Sequence, residues 1–144
     1  MVLKDADLNE LESIVNKYGI HIISDEVYEH IVFGDNKHLS MCSRPALANK
    51  SVVISSFGKT YHVTGWKIGY CAAPQHLMTE IRKVHQFAVF TVSTPMQVAL
   101  SHFVNNPSTY ENLSSFYEEK KNYLADQLQQ HTPLKPYSSE GSFF

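Results

Sequence analysis

Ser55-Ser56-Phe57-Gly58-Lys59-Thr60-Tyr61-His62-Val63-Thr64-Gly65-Trp66-Lys67-Ile68-Gly69-Tyr70 follows directly on Val52-Val53-Ile54. The β-branched run reads as a buried strand. Two serines and a glycine break it, so Lys59 falls just past the strand's end, where open α/β sheets bind their ligands. Gly58-Lys59-Thr60 is similar to the end of a phosphate-binding P-loop, and Ile22-Ile23-Ser24-Asp25-Glu26 to the acidic strand end that holds magnesium in such ATPases. A P-loop needs a glycine five residues before the Gly-Lys pair. Val53 occupies that position, and the acidic strand precedes the lysine instead of following it. The remaining reading is a reactive amine at a sheet's rim, against the plainer one of a surface lysine on a loop.

Ser-Ser-Phe-Gly-Lys-Thr followed by Thr-Gly-Trp-Lys-Ile-Gly-Tyr resembles the cofactor-lysine segment of fold-type I aminotransferases, class I/II, which use pyridoxal 5'-phosphate (PLP). Ser24-Asp25-Glu26-Val27-Tyr28-Glu29 resembles the segment that contacts the pyridine ring, in the family's order and at about its spacing. Lys67 stands where most members carry arginine, which resembles the branch acting on methionine, kynurenine and glutamine. The resemblance runs through most of the chain. It implies an α/β fold, the C-terminal part of the large PLP-binding domain, with a mostly parallel sheet, one antiparallel strand and flanking helices. Residues 1–107 would be the partial large domain, and 108–144 the interdomain helix and the start of the small domain.

The resemblance also assigns roles. Lys59 would bond to the cofactor's aldehyde carbon as a neutral amine and, once displaced by substrate, act as the base for the α-proton. Asp25 would hold the protonated ring nitrogen, keeping the ring able to accept electrons; an Asp capping the next turn is the alternative. Tyr28 would hydrogen-bond the ring's phenolic oxygen, against a packed strand-end tyrosine. Ser56 would donate to the phosphate and Lys67 would pair with it, a point charge where arginine offers a planar fork. Ser55 has a weaker claim to the phosphate. Gly58 and Gly65 would allow close backbone approach to the cofactor. Glu26, on the other face from Asp25, reads as structural, Trp66 as core, and His62 as loop packing.

The implied reaction moves an amino group between an amino acid and a 2-oxo acid, in a homodimer whose active sites a second subunit completes. A carbon–sulfur β-lyase shares every residue named, and a non-catalytic PLP-binding module is the alternative from another class. Parts the family needs are missing: a glycine-rich phosphate turn, a ring stacked on the pyridine, an asparagine to the phenolic oxygen and a carboxylate-gripping arginine. The chain is therefore expected to be a piece of a longer protein, with little turnover alone.

Composition agrees with one soluble domain: 43% hydrophobic, 18% charged and a formal net charge of −2. That charge gives no electrostatic footprint for nucleic acid or an anionic membrane. No run approaches the roughly 18 apolar residues of a spanning helix. Lys4, Asp5 and Asp7 interrupt any signal peptide. Cys42 and Cys71 are no disulfide framework, which favours a reduced, cytoplasmic setting. No histidine pair with a third ligand suggests a metal, and the Gly-x-Ser-x-Gly elbow of a hydrolase is absent.

Periodicity supplies the rest. A helix over 5–18 would be capped by Asp5 or Asp7, carry Leu8, Leu11, Ile14 or Val15, and Tyr18 as its stripe, and stop at Gly19. Ile20 to Ile23 read as a strand, 34–50 as a loop with a short helix, and 51–56 and 67–73 as strands. Only about ten residues join the last two, too few for a parallel crossover, so they should pair antiparallel. Helices are expected over 75–90, from Ser93-Thr94-Pro95 to Asn105-Asn106-Pro107, and over 108–131. The final residues from Tyr137 onward open like a strand.

Overall fold

A computed structural model describes residues 1–143. Helix α1 (Asp5–Tyr18) has the expected bounds. Of the two acids expected to cap it, Asp7 accepts the Lys4 backbone N–H at 2.7 Å, whereas Asp5, the first helical residue, pairs with Arg44 at 2.8 Å instead of capping. Gly19 closes the helix with φ 64°, a left-handed position that suits a residue without a Cβ. Of the apolar stripe, Leu8 and Val15 are buried, whereas Ile14 and Tyr18 are exposed.

Strand β1 (Ile22–Asp25) pairs parallel with β2 (Ser51–Ser56), which pairs antiparallel with β3 (Gly69–Ala72), giving the order β1-β2-β3. The expected antiparallel strand is thus present, and its register places Ser55 opposite Tyr70 and Ile54 opposite Cys71. Between β1 and β2 the chain makes a 3-10 turn (Met41–Ser43) and the short helix α2 (Pro45–Ala48).

Period-two alternation assigns the two faces of the sheet. Ser51, Val53 and Ser55 of β2 point to one side and are buried. Val53 packs there with Leu8, Val15, Met41 and Leu47, so α1 and α2 cover that face. On the other face Ile23 and Ile54 remain 76% and 40% exposed. Asp25 is the register partner of Ile54 and shares that open face.

Helix α3 (Phe57–Thr60) follows β2 immediately, and a 3-10 turn (Thr64–Trp66) leads to β3. Beyond β3 come α4 (Gln75–Ala88), α5 (Thr94–Ser101), a 3-10 turn (Pro107–Thr109) and α6 (Leu113–His131). Two expectations are corrected here. Helix α5 ends at Ser101, because His102, Phe103 and Asn106 tighten into turns on Ala99, Leu100 and Phe103. Helix α6 begins at Leu113, because Pro107 heads a separate 3-10 turn whose Thr109 and Tyr110 bond back to Asn106 and Pro107. The tail forms no strand among the described residues, only one antiparallel bridge between Gly141 and Val32.

A second small core gathers Ile31, Phe33 and Leu113, flanked by Tyr28, Tyr110 and Tyr117. It ties the segment after β1 to the start of α6. Among the described residues no helix is long and apolar enough to cross a membrane.

Candidate active site

The carboxyl ends of the parallel pair β1 and β2 carry most of the candidate residues. Ser56 ends β2 and is the N-cap of α3: its Oγ accepts the Gly58 N–H at 3.1 Å and donates to the Ile68 carbonyl at 3.3 Å. A serine with extended backbone before a helical turn satisfies one of the turn's orphan N–H groups. Lys59 therefore stands on a helical turn and is half-buried. The turn is held from behind: Phe57 N–H donates to the Ile68 carbonyl and Thr64 Oγ1 to the Gly58 carbonyl.

Gly58 is where the turn is tightest. A Cβ there would lie 2.9 Å from Thr64 Cα, so the close approach its size allows is to the chain's own backbone. At Gly65 a Cβ would meet nothing within 4 Å.

Lys59 Nζ lies 5.7 Å from the centre of the Tyr28 ring and 5.3 Å from that of Phe143. The two rings meet edge to face at 5.1 Å. Tyr28 also lines a cavity of about 250 Å³ with Asp25, Glu26, Glu29 and His38. It is thus common to the lysine and the carboxylate, although Lys59 does not line that cavity itself. Asp25 Oδ1 accepts the Val27 N–H at 3.2 Å, so the turn-capping role exists, and the carboxylate is exposed.

Glu26 points the other way and is buried. It accepts from Ser24 Oγ at 2.9 Å and Met41 N–H at 3.0 Å and pairs with His38 Nε2 at 2.8 Å, while its own N–H donates to the Ile54 carbonyl. Burial alone would raise its pKa, but the bonds from His38, Met41, Ser40 and Ser24 outweigh that and bring it down to about 2. Glu26 is a structural anchor that fixes the backbone carrying Asp25.

Lys67 is exposed and takes a left-handed backbone, φ 55° and ψ 42°. His62 does the same at φ 56°, is exposed, and sets its ring 6.4 Å from that of Tyr117. Trp66 is half-buried. Two participants escaped the sequence reading. Phe143 beside Lys59 lies 84 positions along the chain, and Glu29 bonds Ser55 and Tyr70. Neither carries a local pattern that would single it out. Among the described residues no three His, Cys, Asp or Glu side chains gather to hold a metal ion.

The family model for aminotransferase class I and II matches residues 1–144. The chain is 44% identical to the methionine aminotransferase of Escherichia coli over 99% of its own length and 37% of that protein's. It is 32% identical to the kynurenine–oxoglutarate transaminase of Dictyostelium discoideum, covering 34% of it. A crystal structure of an Escherichia coli protein with methionine aminotransferase function superposes with a TM-score of 0.90 at 43% identity, over 99% of this chain and 38% of that one. An aromatic aminotransferase from Pyrococcus horikoshii superposes at 0.89 with 26% identity, over 98% and 38%. The chain thus spans little more than a third of these relatives, and it belongs to the class I and II aminotransferases.

Proposed function

We propose that the whole protein carrying this chain is a PLP-dependent aminotransferase, exchanging an amino group between methionine or an aromatic or kynurenine-like amino acid and a 2-oxo acid. The observation that carries this is the Lys59 amine on the first turn after β2, with Tyr28 beside it and Asp25 at the end of the adjacent parallel strand. The donor set suits PLP chemically: an amine for its aldehyde, a carboxylate for a protonated ring nitrogen, a phenol for the ring oxygen, and a hydroxyl and an ammonium for the phosphate.

When bound, the cofactor supplies an electron sink for the substrate's α-carbon. The chain's residues do the rest. Lys59 would hold the group through its Nζ amine and, as a free amine, would take a substrate proton at Nζ. The Asp25 carboxylate would hold a proton on the ring nitrogen. The Tyr28 hydroxyl would donate a hydrogen bond to the ring oxygen, and the edge-to-face packing of its ring on Phe143 helps hold it there. Ser56 Oγ can exchange its long bond to the Ile68 carbonyl for a phosphate oxygen while still capping α3. Lys67 adds a positive charge for the same phosphate.

Residues 1–107 are the large-domain portion, and residues 108–144 the interdomain helix and the entry to the small domain. The protein works in the cytoplasm as a homodimer.

The test is to load the whole protein with PLP, reduce with borohydride and map the labelled peptide. Label at Lys59 is expected; label elsewhere ends the assignment. Methionine with an oxo acid should then yield a new amino acid, whereas ammonia and pyruvate from a cysteine conjugate would mean a β-lyase.

A further inference from the structure

Under the lysine turn, on the opposite face of the sheet from Asp25, lies a second cavity of about 310 Å³. Its floor is Glu29. One carboxylate oxygen, Oε1, accepts from Ser55 Oγ and from Tyr70 OH, each at 3.0 Å. Ser55 and Tyr70 are register partners on β2 and β3, so the sheet itself aims the carboxylate. The other oxygen, Oε2, has no hydrogen bond or ion pair among the described residues.

The walls are aromatic. Phe57, Tyr61, Tyr70 and Tyr110 line the space. Phe57 sits 5.2 Å from Tyr70 and 6.1 Å from Tyr61, and Tyr61 meets Tyr110 edge-on at 6.3 Å. No lysine or arginine is among the lining residues. His30, which also lines the cavity, has its Nε2 3.8 Å from Oε1, and burial together with the nearby His38 pushes its pKa below the ordinary value despite Glu29. It is therefore neutral near pH 7. Burial, then the Tyr110 phenol and lastly Glu29, push the Tyr61 hydroxyl up, so it stays protonated. The cavity thus sets a carboxyl group, with no lysine or arginine among the residues that line it, beside ring faces that attract positive charge.

We infer that this cavity is a binding site for an organic cation, a guanidinium or primary ammonium group, with Glu29 Oε2 as acceptor and the Tyr61 and Tyr110 rings as its walls. A charge-assisted bond to an oriented carboxylate and stacking on aromatic faces are what a guanidinium uses best. Two sources present that chemistry: an arginine or lysine from residues outside this chain, or a free small-molecule amine. The inference does not depend on the transaminase reading, since it uses neither Lys59 nor Asp25.

A crystal structure of the whole protein separates the two sources. An arginine or lysine side chain reaching Glu29 Oε2 would establish the first. If the cavity is open, calorimetric titration with methylguanidinium chloride at constant ionic strength should show saturable binding. Glu29→Gln keeps an acceptor for Ser55 and Tyr70 but removes the charge, and should weaken that binding about tenfold or more. Tyr61→Leu leaves the carboxylate and should weaken it several-fold, about 1 kcal/mol converted; it serves as the second variant should Glu29→Gln misfold, circular dichroism reporting the fold of each. A cavity filled by a neutral or acidic group, an open cavity without saturable binding, or binding unchanged in both variants would overturn the inference.

Discussion

Glu26 Oε2 lies 2.8 Å from His38 Nε2, with the glutamate side chain 4% exposed. The pair joins the carboxyl end of β1 to the loop that leads to Met41, whose N–H bonds the other glutamate oxygen. Asp25, one residue earlier and on the opposite face, depends on this anchor for its place.

Acid should therefore loosen the site's foundation in a defined window. The Glu26 pKa is about 2 in the folded protein against an ordinary 4.5. The unfolded chain binds more protons between those values, so stability rises with pH across them. Glu26's contribution, on the order of 3 kcal/mol, is complete above about pH 4.5 and lost as pH falls toward 2. Thermal midpoints measured from pH 2.5 to 5.5 should climb less steeply in Glu26→Gln than in the unsubstituted protein. Parallel curves would show that the carboxylate is not held as described.

Gly58 in α3 and Gly65 in the following 3-10 turn should respond oppositely to alanine. At Gly58 the new Cβ would press on Thr64 Cα at 2.9 Å and Ser56 Oγ at 3.2 Å. Backbone cannot swing aside as a side chain can, so a loss of roughly 1–3 kcal/mol is expected. At Gly65 nothing lies within 4 Å and φ is not left-handed, so alanine should be neutral or gain up to about 1 kcal/mol. Denaturant midpoints of the two variants check this, and equal effects would refute it.

Lys67 combines a strained backbone with a charge assigned to phosphate. At φ 55° a non-glycine residue costs on the order of 1 kcal/mol. Lys67→Gly should leave the cofactor-free protein as stable as before or slightly more so, and weaken PLP binding. Lys67→Arg keeps the backbone cost but offers a planar fork, and should tighten PLP. Fluorescence titration with PLP beside apo thermal midpoints resolves the two effects. A Lys67→Gly variant with unaltered PLP affinity would remove Lys67 from the phosphate site.

What the sequence disclosed and what it hid divide along contact range. Helix α1 ends where Gly19 can turn left-handed, and β2 ends where Ser56 can cap, because both signals are local. The antiparallel β3 followed from the short link alone. The bounds of α5 and α6 did not, since Asn106 and Pro107 act as turn formers rather than as a simple stop. Glu29 was invisible as a participant because Ser55 and Tyr70 stand 26 and 41 positions away. His38 as the partner of Glu26 was hidden in the same way, 12 positions along inside a polar loop.

Tyr28 belongs both to the packing around Leu113 and to the candidate site, and its two halves can be separated. Tyr28→Phe keeps the ring that meets Phe143 at 5.1 Å and lies 5.7 Å from Lys59 Nζ, and removes only the hydroxyl. Stability should change by less than about 1 kcal/mol, while turnover of the PLP-loaded whole protein falls roughly tenfold for the loss of one hydrogen bond to a developing charge. Tyr28→Ala removes the ring as well and should cost a further ~2 kcal/mol of stability, less than a fully buried aromatic because the residue is half-exposed. If Tyr28→Phe retained full turnover while Tyr28→Ala unfolded, the tyrosine would be a packing residue, and the ring oxygen's hydrogen bond would have to come from elsewhere.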